Sequence, residues 1–482
     1  MKRLMIVLSV LVALSVLLAA CGAPATPAPA TQAPATQAPA AQPTAVPTDA
    51  PLADRVQIYW YIGLGAGAKA EAIPLEKAFV DKYNKSQTEI QLIPIIVDNK
   101  YAGDNLTAQI AAGNAPDIVG PVGTEGRASF PGAWLDLEPL VKQFNYDTSD
   151  IDPAFMDFYK VEGKLEGLPF AIYPSAVFYN KDLFDQAGLA YPPQKVGDKY
   201  TLDGKELEWN FDTVAQVARR LTLDKNGNDS TSASFDRNNI VQWGFEFQWV
   251  RDNPRWNTAY FGAYYPVKDG KADISPDMIA GMKWYYDAEF GKQPFEPTLA
   301  AVNGDLLKTN AFSSGKVAMG LTHLWYTCCI DAANVPNWDA GVVPSYNGKI
   351  TSKMHGDTFA IMAASKHPEE AFKVYTYMLG EGAPELYTIY GGLPARTSQQ
   401  AAFFKSLDDK FAPNKVNWQV FVDMIPFLDA PNHQLGLPNN NKSNTAWQTL
   451  GSDLQTNDKL NVDTRVEDFI KEWNAILAEA GN

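Results

Sequence analysis

Apolar and polar positions along this chain fall into two alternating rhythms. Val56–Ile62 (VQIYWYI) and 89–97 (EIQLIPIIV) are β-type runs, and a third short strand begins at 117–119 after Ala115-Pro116. Between the first two, 71–85 places Ile73, Leu75, Phe79 and Tyr83 near helical spacing. Residues 106–112 read as a helix before the third strand. This β-α-β-α-β order predicts an α/β fold with parallel pairing and right-handed crossovers. Ligands of such sheets sit beyond the carboxyl ends of the strands, which directs attention to loops 60–68 and 120–127. Further helices are predicted over 211–223, 277–290, 368–379 and 466–480, with a polar loop at 224–239.

Ahead of this body lies a different pattern. Lys2 and Arg3 precede a run from Leu4 to Ala20 that is apolar but for Ser9 and Ser15, and Cys21 and Gly22 follow it. Charge, apolar stretch and small residues in that order mark an export signal. A cysteine directly after Leu18-Ala19-Ala20 resembles the lipobox of bacterial lipoproteins, which implies lipidation of Cys21 and anchoring to the outer face of the cytoplasmic membrane. Residues 22–51 are almost wholly Ala, Pro, Thr and Gln, with PATQAPATQAPA as a repeat. Repeated proline favours extended polyproline II, a semi-rigid spacer reaching roughly 90 Å at ~3.1 Å per residue.

The remaining body exceeds the usual size of a single hydrophobic core, so two domains are expected. With 40 basic against 55 acidic residues the net charge is −15, which argues against nucleic acid as a partner. Setting Cys21 aside, only the adjacent Cys328 and Cys329 remain. They are either a vicinal disulfide or two buried thiols.

Several motifs carry chemistry in principle. Gly63-x-Gly65-x-x-Ala68 approaches a dinucleotide fingerprint, although a flexible ligand-lining loop fits an exported protein better. Asp224, Asn226 and Asn228 alternate as oxygen ligands do in a calcium loop. The closing acid of that loop is displaced, since Phe235 stands where it belongs and Asp236 follows, so a solvated Asx-rich turn is the other reading. Catalytic signatures are missing: no Gly-x-Ser-x-Gly, no His-Glu-x-x-His and no phosphate-binding loop. The four histidines, His323, His355, His367 and His433, have no zinc-type spacing. Aromatics make up 12% of the chain, and Trp60, Tyr61, Tyr173, Trp249, Trp256, Trp325, Tyr326 and Trp447 recur near predicted strand ends and loops. Such rings stack on the apolar faces of sugars and also offer a polar edge.

Five phrases in order resemble the extracellular solute-binding protein family 1, which includes the maltose-binding proteins of ABC importers. They are AAGNAPDIV (111–119), WLDLEPLV (134–141), GKLEGLPFAIYPSAVFYNKDLFDQAGL (163–189), SGKVAMGLTHLWY (314–326) and HGDTFAIMAASKHPEEAFKVYTYML (355–379). The resemblance implies a two-lobed periplasmic-binding-protein-like α/β fold with multiple hinge crossings and a ligand cleft between the lobes. The expected organisation is a signal peptide over 1–20 and a tether over 21–53. Lobe one would comprise 54–170 with 357–380, and lobe two 171–356 with 381–482. The expected ligand residues are Trp60, Tyr61, Thr124, Glu125, Tyr173, Trp256, Trp325, Tyr326, His355, Asp357 and Arg396. The implied function is non-catalytic capture of a small carbohydrate by a monomer, for delivery to the transmembrane subunits of an ABC importer. No cofactor is required on this reading beyond structural calcium at 224–228. A secreted glycoside hydrolase, which needs only two carboxylates, and a polysaccharide-holding adhesin are the alternatives.

Overall fold

The computed structural model describes residues 55–70, 72–249 and 253–479, so the expected signal, Cys21 and the whole of the expected tether lie outside the described residues. Strands β1 (Val56–Ile62), β2 (Ile90–Ile96) and β3 (Ile118–Val122) form as the hydrophobic pattern predicts. β1 pairs parallel with both of the others. The helix between β1 and β2 spans Ile73–Ser86 and buries Phe79, Val80 and Tyr83. The next helix starts earlier than expected, running Asn99–Ala111, because the Asp98 carboxylate caps the Lys100 N–H at 2.9 Å.

Five further strands complete the main sheet: β4 (Ala171–Asn180), β5 (Met319–His323), β6 (Trp338–Gly341), β7 (Met354–Ile361) and β8 (Leu393–Pro394). The order is β5-β4-β7-β3-β1-β2, with β6 and β8 also on β4. β7 changes partner along its length. Met354–Asp357 lie against 171–174 of β4, whereas Thr358–Ile361 lie against β3, both antiparallel. A strand shared in this way joins the two parts of the main sheet. The Thr358 hydroxyl fixes the changeover by donating to the Leu168 carbonyl at 2.6 Å.

Contacts of the first sheet continue past residue 380. The helix Ala383–Tyr390 packs on Ile73–Ser86, where Lys82 pairs with Glu385 and the Tyr390 hydroxyl donates to Glu76 at 3.0 Å. The chain then turns at Gly391 and enters β8 against β4. Cys328 and Cys329 are joined in a vicinal disulfide. No helix among the described residues is long and apolar enough to cross a membrane.

Candidate functional site

Strand periodicity assembles one wall. In an antiparallel pair, residues directly opposite project from the same face, and alternate residues share it. His355 stands opposite Tyr173 across β4–β7, and His323 stands opposite Ser175 across β4–β5. Tyr173, Ser175, His323, His355 and Asp357 therefore line one face. The Tyr173 hydroxyl donates to Asp357 at 3.4 Å. Burial pushes the Asp357 carboxyl up to about 6 despite that hydrogen bond.

Trp325, two residues beyond β5, lies over this face. Its indole N–H donates to His355 Nδ1 at 3.3 Å, and its ring is parallel to Trp249 within 7°, centroids 6.1 Å apart. His323 stacks on His355 at 3.8 Å between centroids. His433 joins them from the loop after 428, with its Nε2 3.1 Å from His355 Nε2. Burial, followed by neighbouring positive charge, pushes all three imidazoles well below the usual histidine range, so they are neutral at pH 7. Lys353 and Asp429 are buried beside them. Burial lowers the lysine and raises the acid, and each one's charge opposes that shift in the other.

A second wall grows from a short helix. Asn253 caps Pro254–Asn257, accepting the Arg255 N–H at 3.1 Å with proline in the first turn. Arg255 clasps the 433–435 segment: Nε donates to the His433 carbonyl at 2.8 Å, and Nη2 to the same oxygen and to Leu435 O. That segment meets the helix Thr124–Ala128, for a Cβ on Gly436 would stand 3.1 Å from the Ala128 Cβ. Burial pushes Arg255 down to about 10, with Tyr265, Glu125 and Asp429 countering. Glu125 is raised by burial and partly held down by Arg255. Around this junction Thr124 Oγ1, Arg255 Nη1, Trp256 Nε1 and both polar atoms of Asn257 are buried with no hydrogen-bond partner.

The structure thus brings Thr124, Glu125, Tyr173, Trp256, Trp325, His355 and Asp357 to this region; Tyr326 lies edge-on behind Trp249 and Trp325, and the others stand apart. Trp60 is fully buried between Phe79 and Phe359 and donates to the Gly120 carbonyl, so it is core. Tyr61 is equally buried and donates to Ala102 O. Tyr326 is buried too, donating to Asn310 Oδ1 at 2.5 Å. Arg396 is occupied by Asp150, the Tyr146 hydroxyl and Asp147 O, and so braces the fold. The calcium expectation is also corrected. Asp224 accepts N–H donors from Asn226, Asn228 and Asp236 and from the Asn228 amide. Burial pushes its carboxyl up, but these donors outweigh it and hold it at about 2. Its oxygens face N–H groups rather than a cage of further oxygens, which is the Asx-turn arrangement.

The glycine loop is equally resolved. A Cβ on Gly65 would stand 2.4 Å from the Pro121 carbonyl oxygen, and the Asn99 amide fills the turn by donating to Gly63 O and Gly65 O. Close packing, not a phosphate cradle, accounts for glycine there. Sequence reasoning missed Arg255, His323 and His433. The contacts that bring them into the site lie 178, 150 and 78 positions apart along the chain, and no local pattern marks them.

Comparison with known proteins places the chain. A 122-residue stretch is 32% identical to the sn-glycerol-3-phosphate-binding periplasmic protein UgpB of Pectobacterium atrosepticum, covering 23% of this chain and 27% of that protein. Among solved structures, an ABC substrate-binding protein from Listeria monocytogenes in complex with cycloalternan aligns with TM-score 0.67 and 19% identity, covering 88% of this chain and 100% of that one. A solute-binding protein from Thermotoga lettingae bound with alpha-D-tagatose aligns with TM-score 0.62, 19% identity and the same coverage. These share the two-lobed fold. The family model described as bacterial extracellular solute-binding protein matches residues 78–413, more than half the chain, so this chain belongs to the bacterial extracellular solute-binding proteins.

Proposed function

We propose that this protein captures a carbohydrate between its lobes and delivers it to the membrane subunits of an ABC importer, breaking no bond. The observation that carries the reading is the set of buried, unpartnered polar atoms on Thr124, Arg255, Trp256 and Asn257, together with the half-buried Trp325, which is linked to Arg255 through His355 and His433. A buried donor or acceptor left unpaired costs about 1–3 kcal/mol. A polyhydroxylated ligand supplies donors and acceptors together, and Trp325 with Trp249 supplies apolar faces for its ring. The sugars held by the Listeria and Thermotoga relatives support the same ligand class.

On this proposal lobe one comprises 54–170 with 357 to about 390, its later limit moved by the contacts of the helix Ala383–Tyr390, and lobe two holds the remainder of the body. Thr124, Glu125 and Asp357 then belong to lobe one, and Arg255, Trp256 and Trp325 to lobe two. A ligand touching both stabilises the closed arrangement, whose surface the importer reads. Cys21 anchors the monomer by its lipid, and residues 22–51 hold the body off the membrane.

Titration with mono- and oligosaccharides, followed by tryptophan emission, tests the site. Trp325→Ala is expected to weaken the best ligand by about tenfold or more while the melting temperature changes little. Equal affinity in the variant removes Trp325 from the site.

A further inference from the structure

His323, His355 and His433 come from β5, β7 and the 429–436 loop, and their nearest ring nitrogens all lie within 4.8 Å of one another. Their hydrogen bonds decide which nitrogens hold protons. His433 Nδ1 contacts the Asp429 carboxylate at 2.7 Å, so it carries the proton and leaves Nε2 with its lone pair. Asp429 is itself fixed by the Met354 and His433 backbone N–H groups, at 2.8 and 2.7 Å. His323 Nδ1 donates to the Tyr173 carbonyl and lies 3.1 Å from both that oxygen and Ser175 Oγ. Its Nε2 is left as a lone pair, fully buried and with no partner. An imidazole whose far nitrogen is held by a carboxylate or carbonyl is the arrangement that presents a metal-binding nitrogen.

We propose that these three histidines form a binding site for a divalent transition-metal ion of the zinc class. Zn–N distances are about 2.0–2.1 Å, and at such lengths the 3.1 Å separation of His355 Nε2 and His433 Nε2 subtends roughly 98° at the ion, near the tetrahedral range. Three imidazoles leave a fourth position for water or a solute oxygen. Soft thiolate competition is absent, since both body cysteines are oxidised together. The site is independent of the carbohydrate reading and is tested without any sugar.

His355 is the residue that must change. Without metal its Nδ1 accepts the Trp325 indole N–H, so its proton sits on Nε2 and points to His433. Metal ligation through Nε2 moves that proton to Nδ1, with no net release, and sets it against the indole N–H. The nearly parallel rings, 17–27° apart, also require His355 to turn before the lone pairs converge. Both effects displace Trp325, so the ion reports on the tryptophan.

The test uses the full chain, disulfide intact, stripped with chelator and titrated with zinc ion alone by calorimetry. One ion per chain is expected, with a change in tryptophan emission that Trp325→Phe abolishes. His355→Ala should weaken binding by on the order of 100-fold, and Asp429→Asn by about tenfold to 100-fold, as loss of a ligand or of its supporting carboxylate does. His367→Ala, which changes the exposed fourth histidine, should bind as the wild type does. X-ray absorption on the zinc-loaded wild type should count three imidazoles, a readout that does not depend on any variant folding. No saturable zinc binding, fewer than three imidazoles, or unchanged affinity in a natively melting His355→Ala overturns the site.

Discussion

Buried polar side chains set the chemistry at the scale of single residues. Glu76 is fully buried, accepts one hydrogen bond from Tyr390, and burial pushes its carboxyl up to about 7. In the unfolded chain the same group titrates near about 4.3. Between those values the native state holds the proton more tightly, so stability is greatest at low pH and is lost as pH rises to about 7. Glu76→Gln removes the charge and retains an acceptor for Tyr390. It is expected to stabilise the protein by roughly 1–3 kcal/mol at pH 8, with the gain vanishing near pH 4–5. Melts of both proteins at the two pH values decide this, and a gain of equal size at each contradicts it. The residues misread from sequence fail for a related reason. Trp60 and Tyr61 sit in the last three residues of β1, where both faces of the strand are buried, whereas Tyr59 just before them is exposed. Arg396 looks free in the sequence because its partner Asp150 is 246 positions away.

Elements were the most legible level. β1 matches its predicted bounds, and the helix Pro368–Leu379 does so as well, since period and punctuation agree locally. The switch of β7 between β4 and β3 was legible only as an implication of family resemblance, because pairing partners leave no local trace. The Asp224 loop shows a further limit: residue spacing suits oxygen ligation, but whether the oxygens meet a cation or N–H groups depends on how the turn closes. The glycine turn after β1 makes a specific prediction at this scale. A methyl at Gly65 meets backbone of β3 at 2.4 Å, and neither segment can yield as a flexible side chain would. Gly65→Ala should therefore destabilise by about 1–3 kcal/mol. Denaturant unfolding measures it, and an unchanged midpoint would show that the loop relaxes freely.

For the whole molecule, the family match and the two-lobed fold assign the chain to the bacterial extracellular solute-binding proteins. The sequence phrases at 111–119, 163–189, 314–326 and 355–379 already resembled that family. The cleft's second wall did not show in them, because Arg255 works through carbonyls of residues 433 and 435 and faces Glu125 from another part of the chain. Carbohydrate capture is the central claim, and calorimetric titration of the wild-type protein with a broad panel of mono- and oligosaccharides tests it most directly. At least one sugar is expected to bind with one ligand per chain and a Kd of about micromolar or tighter, equivalent to roughly −8 kcal/mol. Absence of heat across the panel, with tryptophan emission unchanged throughout, would contradict it.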